Sequence, residues 1–159
     1  MQNTISRLRA KKDDDGFTLI ELLVVVVIIG VLVAIAVPVY LNYRQGAADK
    51  SAQSDVRGAI SAVEQFYSNN NNTYPVSASA DNSAGATPSL LIGATGTNQQ
   101  TITLSDKTKL QLVVPASPAT TYKLCALNTG GSTNRWYLYD SSIGGSVKAM
   151  TSVMSATCT

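Results

Sequence analysis

Few side chains in this sequence could carry out chemistry. The chain of 159 residues contains no histidine and two cysteines. Histidine is the commonest general base and metal ligand in proteins, and zinc sites of the usual kind need more than two cysteines. Asp81, Asp106 and Asp140 are scattered, and no calcium loop or nucleotide loop is present. We therefore expect no catalytic residue, no metal site and no cofactor, although Ser–Lys catalysis stays formally open.

Glu21 is the acidic residue that most needs an explanation. It is the only charged residue in the apolar run from Phe17 to Leu41. A charged side chain at membrane depth costs about 2.5–3.5 kcal/mol on insertion scales, and is for that reason usually functional. A plain membrane anchor gives no reason for this carboxylate. Because Glu21 lies near the start of the run and could reach the membrane interface, a structural interpretation stays open.

The element that positions Glu21 is a predicted membrane helix. A helix over residues 17–41 would be about 37 Å long, and a bilayer core is about 30 Å thick. Basic residues precede the run, whereas positive and negative charges balance in residues 42–70. The positive-inside rule therefore places residues 1–16 in the cytoplasm and the chain after about residue 42 outside. The basic residues before the run are Arg7, Arg9, Lys11 and Lys12.

A secretory signal peptide is the first alternative for this segment. Such a signal has a shorter apolar stretch, of about 7–15 residues, followed by a small-residue cleavage site. The run here is longer, and Ala36-Val37-Pro38 leads into valine and tyrosine. No cysteine lies near the run, which excludes a lipoprotein signal.

The sequence Gly16-Phe17-Thr18-Leu19-Ile20-Glu21, between a basic leader and an apolar helix, resembles the signature of type IV prepilins and related pseudopilins. The resemblance covers residues 1–41 strongly and residues 42–70 by general pattern. It implies that a prepilin peptidase removes residues 1–16 by cutting after Gly16 and that Phe17 is then N-methylated. The triplet Asp13-Asp14-Asp15 departs from the family, in which many members carry Lys or Arg there.

The resemblance also implies how the mature chain assembles. Phe17, Thr18 and Glu21 would be assembly residues, with Glu21 neutralising the Phe17 ammonium of a neighbouring subunit. In the family, the interval between a glycine and a proline loses helicity inside filaments, which would here be Gly30 to Pro38. A plain kinked membrane helix is the alternative for that segment.

After residue 42 the helical pattern becomes amphipathic. Charged and polar residues take the face opposite an apolar stripe, which we expect to pack on a sheet of the same domain. The helix should end within Asn69–Asn72, before Thr73-Tyr74-Pro75 forces an extended chain. The apolar stripe consists of Ala52, Val56, Ala59, Ile60, Val63 and Tyr67, and the polar face of Asp49, Lys50, Gln53, Ser54, Arg57 and Glu64.

The remaining sequence predicts an α+β head with a three- to four-stranded antiparallel sheet. Residues 76–100 are rich in small and polar residues and are expected to form a long loop. Trp136 is expected to be a packing residue. The predicted strands, separated by turn clusters, are Thr101–Leu104, Lys109–Val114, Thr121–Leu127 and Arg135–Tyr139.

Cys125 and Cys158 are expected to form a disulfide. An even cysteine count in an extracellular domain favours a bridge. The bridge would hold a C-terminal tail that otherwise has little reason to stay ordered. It also resembles the disulfide-bounded loop of many type IV pilins. The predicted organisation is a leader (1–16), a membrane and assembly helix (17–41), and an extracellular head (42–159) that contains helix 42–70 and the disulfide-bounded region.

The function that this resemblance implies is structural. The chain would be a single-pass protein of the inner or cytoplasmic membrane and then a subunit of an extracellular homo-oligomeric helical filament. Its partners would be the prepilin peptidase and the pilus assembly platform and ATPase. The filament would serve adhesion, motility or DNA uptake, although no specific nucleic-acid site is visible. The alternatives are a type II secretion pseudopilin, for which the missing calcium loop and the cysteine pair are unusual, and a membrane-tethered binding module.

Overall fold

The computed structural model describes residues 17–94, 98–155, 157 and 158. The predicted leader, including Gly16, lies outside the described residues. A single helix, α1, covers Leu19–Asn69. The strands are β1 (Ala78–Asp81), β2 (Ser89–Ile92), β3 (Gln100–Thr103), β4 (Thr108–Val113), β5 (Lys123–Asn128), β6 (Trp136–Asp140) and β7 (Lys148–Met150).

The chain divides into two compact units, the first ending at Tyr40 and the second beginning at Leu41. The described part of the first unit is the start of α1, and every one of its residues from 17 to 40 is exposed. Helix α1 continues through Pro38. A proline has no backbone N–H to donate, so the helix lacks one backbone hydrogen bond there.

In the second unit, α1 buries one face, largely as the sequence predicts. Ala52, Val56, Ala59 and Val63 are fully buried, and Ile60 packs against the same core from a half-buried position. Phe66 is also buried, which the predicted stripe omits. The last residue of α1, Asn69, lies within the predicted end region.

The polar residues that follow α1 stop the helix. Asn71 and Asn72 have φ angles of 53° and 57°, in the left-handed region that asparagine tolerates better than most residues. Asn70 and Asn98 then join the helix end to the chain before β3: the Asn70 side chain donates to the Asn98 carbonyl, and the Asn98 side chain donates to the Asn69 carbonyl at 2.9 Å.

The main sheet confirms the predicted α+β class. It has five antiparallel strands in the order β1-β4-β5-β6-β7, and β2 and β3 form a separate antiparallel pair. Strand β4 alternates between buried and half-buried residues, so that Leu110 and Leu112 face the core shared with α1. Leu124 and Ala126 of the central strand β5 join the same core. Burial of these aliphatic side chains contributes about 1.5–3 kcal/mol for each large one.

The prediction of a loop over residues 76–100 is wrong. This segment contains β1 and β2, and β3 begins at Gln100. Leu90 and Ile92 of β2 are buried, and Ile102 faces the same core from β3. A sequence as short and polar as Ala78–Asp81 lacks strand propensity. It becomes an edge strand because its backbone pairs with β4 in the register Ala78–Leu112 to Asp81–Lys109.

The outer face of the sheet carries a small second core. Cys125 and Cys158 form the predicted disulfide, with their Cα atoms 5.7 Å apart. Trp136 is 1% exposed and packs beside the bridge, which confirms its predicted packing role, and its indole N–H donates to Ser152 Oγ at 3.2 Å. The predicted weakly ordered tail also contains the short edge strand β7, which pairs with β6.

Candidate functional site

The start of α1 holds the predicted assembly residues together. Phe17 and Thr18 precede the first helical residue, and Glu21 lies in the first turn. Phe17 is 91% exposed. Gly16, the other half of the predicted cleavage site, lies outside the described residues.

Thr18 and Glu21 form a capping box. The Glu21 backbone N–H donates to Thr18 Oγ1 at 3.3 Å, and the Thr18 backbone N–H donates to Glu21 Oε2 at 2.9 Å. The Thr18 hydroxyl also donates to Glu21 Oε2, at 2.7 Å. These bonds satisfy N–H groups that the first turn of a helix leaves without an intrahelical partner.

This local role of Glu21 is not among the predictions made from the sequence. The signal was present, because Thr-x-x-Glu before an apolar run is the sequence signature of a capping box. Glu21 therefore has a structural reason for its position, contrary to the expectation that a plain anchor offers none. Both bonds from Thr18 end on Oε2, so the cap leaves Oε1 of the carboxylate for another partner.

The helix beyond the cap offers an uninterrupted apolar surface. Among the described residues, α1 contains the one helical segment long and apolar enough to cross a membrane, with a mean hydropathy of 3.3 and none of it buried. Leu19 is 83% exposed and Ile20 is 65% exposed. A Cβ added at Gly30 would meet nothing within 4 Å, so the helix surface at Gly30 is open to close approach by another helix.

The described residues contain no group of three or more His, Cys, Asp or Glu side chains placed to hold a metal ion.

Carboxylates on α1 hold the loops of the second unit. The prediction that Asp49 lies on the polar face of the helix is wrong, because Asp49 is 3% exposed. Asp49 accepts hydrogen bonds from the Ser132 backbone N–H at 2.9 Å and the Ser132 hydroxyl at 2.7 Å. Arg135 lies 3.7 Å from the same carboxylate. A buried carboxylate is tolerated when it is paired and hydrogen-bonded in this way.

Asp55, six residues further along α1, repeats this arrangement. It accepts hydrogen bonds from the Ser105 backbone N–H at 2.9 Å and from the Ser105 hydroxyl at 2.8 Å. Asp49 thus fixes the loop between β5 and β6, and Asp55 fixes the turn between β3 and β4. No periodicity in the sequence distinguishes these buried carboxylates from solvated ones.

Glu64 of α1 is exposed, but it also binds a residue of the head, at the edge of a tyrosine cluster. The Tyr122 hydroxyl donates to Glu64 Oε1 at 2.6 Å, and the Tyr122 side chain is 1% exposed. Burial, followed by the bond to Glu64, raises the pKa of Tyr122 well above its usual range. The rings of Tyr74 and Tyr139 lie 5.1 Å and 5.8 Å from that of Tyr122.

Comparison with known proteins finds sequence similarity to fimbrial proteins and a pilin. The profile of the prokaryotic N-terminal methylation motif matches residues 11–37. The chain is 40% identical over 72 residues to a fimbrial protein of Neisseria meningitidis serogroup A, a match that covers 42% of each chain. It is 36% identical over 97 residues to fimbrial protein EcpC of Eikenella corrodens, covering 55% of this chain and 60% of that protein. It is 40% identical over 53 residues to the type IV major pilin protein PilA of Myxococcus xanthus, covering 33% of this chain and 24% of that protein.

The N-terminal motif, the long helix packed on an antiparallel sheet and these similarities together support a type IV pilin, as the sequence predicts. The chain spans 42%, 60% and 24% of the length of the three relatives. All three are named as fimbrial proteins or pilins and none as an enzyme, in agreement with the expectation that this chain is not an enzyme.

Proposed function

We propose that this chain is the structural subunit of an extracellular pilus, a helical homo-oligomer assembled through the helix that starts at Leu19. The observation that carries the proposal is the exposed apolar surface of residues 17–40, which begins at a capped helix end bearing one carboxylate. Apolar side chains of this size gain about 1.5–3 kcal/mol each when they leave water. Such a surface needs lipid or other apolar helices around it.

The proposal includes a processing step before assembly. A prepilin peptidase cuts between Gly16 and Phe17, removes the leader 1–16, and Phe17 is then N-methylated. The match of the methylation motif to residues 11–37 supports this step. Until assembly the chain is held in the cytoplasmic membrane by residues 17–41, with the head 42–159 outside.

Burial of apolar surface does not by itself drive subunits from the membrane into a filament. Lipid tails are as apolar as leucine, so helices gain little hydrophobic free energy by exchanging lipid for each other. A specific attraction is needed, and the Glu21 carboxylate is the charged group of the exposed helix that can supply it. We propose that this carboxylate pairs with the Phe17 ammonium of a neighbouring subunit. The capping box orients this carboxylate, and Oε1 remains for the ammonium.

The pilus assembly platform and its ATPase would extract the chain from the membrane. During this step the segment from Gly30 to Pro38 would unwind, because Pro38 has no backbone N–H to donate and Gly30 has the weakest helix propensity in the segment apart from proline. The assembled filament would serve adhesion, motility or DNA uptake at the cell surface.

Glu21→Gln tests the assembly role separately from the cap. Glutamine completes a capping box as glutamate does, so the variant keeps the helix end and loses the charge. We expect normal cleavage and membrane insertion but a sharp loss of filaments, since removing one partner of a buried pair costs about 3–5 kcal/mol. The measurement compares cleaved protein in membranes with sheared surface filaments.

Thr18→Ala is the comparison variant, because it removes the capping hydroxyl and keeps the carboxylate. It should cost about 1 kcal/mol of helix stability and, because Thr18 also orients the Glu21 carboxylate, it should lower filament yield, but by less than Glu21→Gln does. Normal filament yield from Glu21→Gln, with reduced yield from Thr18→Ala, would show that the cap alone explains Glu21 and would contradict the pairing.

A further inference from the structure

A cavity of about 560 Å³ lies in the second unit, at the first turns of its helix. Leu41, Arg44 and Gln45 line it from α1, and Lys107 lines it from the turn between β3 and β4. The nearby Asn128 is buried, and its amide donates to Ser51 Oγ at 3.1 Å and to the Asp106 carbonyl at 2.8 Å. These bonds hold the helix and the turn on either side of the cavity in place.

The charges of the lining favour an anion. Arg44 and Lys107 supply positive charge and Asp106 supplies one carboxylate, so the lining has an excess of positive charge. Arginine binds phosphate oxygens through its planar fork of donors, and lysine binds phosphate as a point charge. A phosphate group fits this combination of donors.

The backbone at Lys107 gives an independent observation. Lys107 has a φ of 64°, in the left-handed region where glycine and asparagine are favoured and lysine is not. Hydrogen bonds fix this conformation: the Lys107 N–H donates to the Asn82 carbonyl at 3.1 Å, and its carbonyl accepts from the Thr129 N–H at 2.9 Å. Backbone strain of this kind clusters at functional sites. A lysine at this position supplies a cation at some cost in stability.

The position of the cavity along the chain indicates that the phosphate belongs to a membrane lipid. Leu41 is the last residue of the apolar run, and Tyr40 and Tyr43 are 58% and 75% exposed. Tyrosines are enriched where a membrane helix meets the headgroup layer. Residues 17–40 rise about 36 Å as a helix and so cover a bilayer core of about 30 Å, which leaves the next turns among the headgroups.

We propose that this cavity binds the headgroup phosphate of an anionic phospholipid while the chain is still in the membrane. Arg44 and Lys107 contact the phosphate, and Leu41 lies against the glycerol and upper acyl region. The inference rests on the proposed function, because it requires that residues 17–41 span a membrane before assembly.

The test uses the full chain, purified and reconstituted without assembly machinery into phosphatidylcholine vesicles that contain a minor share of phosphatidylglycerol. The protein is extracted in mild detergent, and the lipid that stays bound is identified by native mass spectrometry. We expect phosphatidylglycerol to be enriched over its share of the vesicle. In Arg44→Gln/Lys107→Gln the enrichment should fall at least about fivefold for each cation removed.

Arg57→Gln/Lys148→Gln is the matched control, since it removes one arginine and one lysine from exposed positions outside the cavity lining. It should keep the enrichment. Equal losses in the two double variants would overturn the proposal, because they would indicate attraction by net charge alone. Undiminished enrichment in the cavity variant would overturn it as well.

Lys107→Asn distinguishes loss of lipid binding from a failure of the variant to fold. Asparagine suits the left-handed backbone, so this variant should unfold at an equal or higher temperature while its lipid enrichment falls. Loss of both stability and lipid would overturn the functional reading of Lys107.

Two further arms identify the ligand. Inorganic phosphate added at millimolar concentration should not displace the lipid, and full displacement would point to free phosphate. A benzophenone side chain at Gln45 should give lipid adducts on irradiation, and an adduct to a second copy of the chain would assign the cavity to a protein interface. Failure of membrane insertion, measured by vesicle flotation, would instead contradict the proposed function itself.

Discussion

The carboxylates on α1 have different structural roles, which depend on the segment that packs against each of them. Glu21 caps an exposed helix end, whereas Asp49 and Asp55 each bind both the N–H and the hydroxyl of one serine. The sequence predicts a functional role for Glu21, but it does not predict that Asp49 is buried. The reason is physical: the serine that satisfies Asp49 lies 83 positions away, and no local pattern reveals so distant a partner.

Gly131 is the glycine that this arrangement requires. A Cβ built at Gly131 would collide with Asp49 Oδ1 and lie 3.2 Å from the Asn128 carbonyl oxygen. Gly131→Ala should therefore lower the free energy of unfolding by about 1–3 kcal/mol, since the carboxylate or the loop must shift. Chemical denaturation of the purified chain measures this change.

Gly58→Ala provides the matched comparison, because a Cβ there meets nothing within 4 Å and the residue lies inside α1. It should raise the free energy of unfolding by about 0.5–1 kcal/mol. If Gly131→Ala were as well tolerated as Gly58→Ala, the close packing of the loop on Asp49 would be wrong.

Asp81 should make the stability of the second unit depend on acid pH. Hydrogen bonds from Lys109 and Ser83 lower the pKa of Asp81 from 3.8 to about 2. Because the folded pKa is lowered, this carboxylate stabilises the fold above about pH 4, and the contribution is lost as pH falls toward 2. Asp81→Asn should therefore lower the denaturation midpoint at neutral pH and have little effect near pH 2.

The Lys109→Gln background supplies the check on this assignment. Removing the lysine removes the ion pair at 2.8 Å, so Asp81→Asn should change stability less in that background. An undiminished effect would show that Lys109 is not the cause.

At the scale of elements, the strongly patterned segments could be predicted and the weakly patterned ones could not. Helix α1 and strands β3 to β6 follow apolar periodicity and lie within a few residues of their predicted bounds. Strands β1, β2 and β7 are short, and β1 and β7 are the edges of the main sheet. Edge strands form mainly because a neighbouring strand offers its hydrogen bonds, and a single sequence does not show that neighbour.

The disulfide should stabilise the small second core on the outer face of the sheet more than the core that the sheet shares with α1. It closes a loop with a sequence separation of 33, for which loop-closure entropy gives about 3–4 kcal/mol. In the variant Cys125→Ser/Cys158→Ser we expect the free energy of unfolding to fall by about this amount. Relative to the unmodified chain, hydrogen exchange in this variant should accelerate more in residues 151–158 than in the buried part of α1.

Uniformly faster exchange across both cores, or an unchanged free energy of unfolding, would contradict this division. Leu110→Ala serves as the comparison, because Leu110 belongs to the core shared with α1 and its loss should affect that core directly.

At the scale of the whole molecule, the two units differ in whether they bury their apolar residues. The second unit buries its own core between α1 and the sheet, whereas the described part of the first unit leaves every side chain exposed. The sequence predicts a change of character near residue 41, because composition changes sharply there. The head loops and the cavity at Arg44 and Lys107 could not be predicted, since they depend on contacts between distant segments.

The most direct test of the account is the N-terminus of the protein in filaments. Filaments sheared from the surface of cells that express the chain should contain it, and mass spectrometry should find the chain beginning at Phe17 with one added methyl group. That result would establish cleavage after Gly16 and incorporation into a pilus together. Filaments without the chain, or a surface form that begins at Met1 or after Ala36, would contradict the proposal that it is a processed pilus subunit.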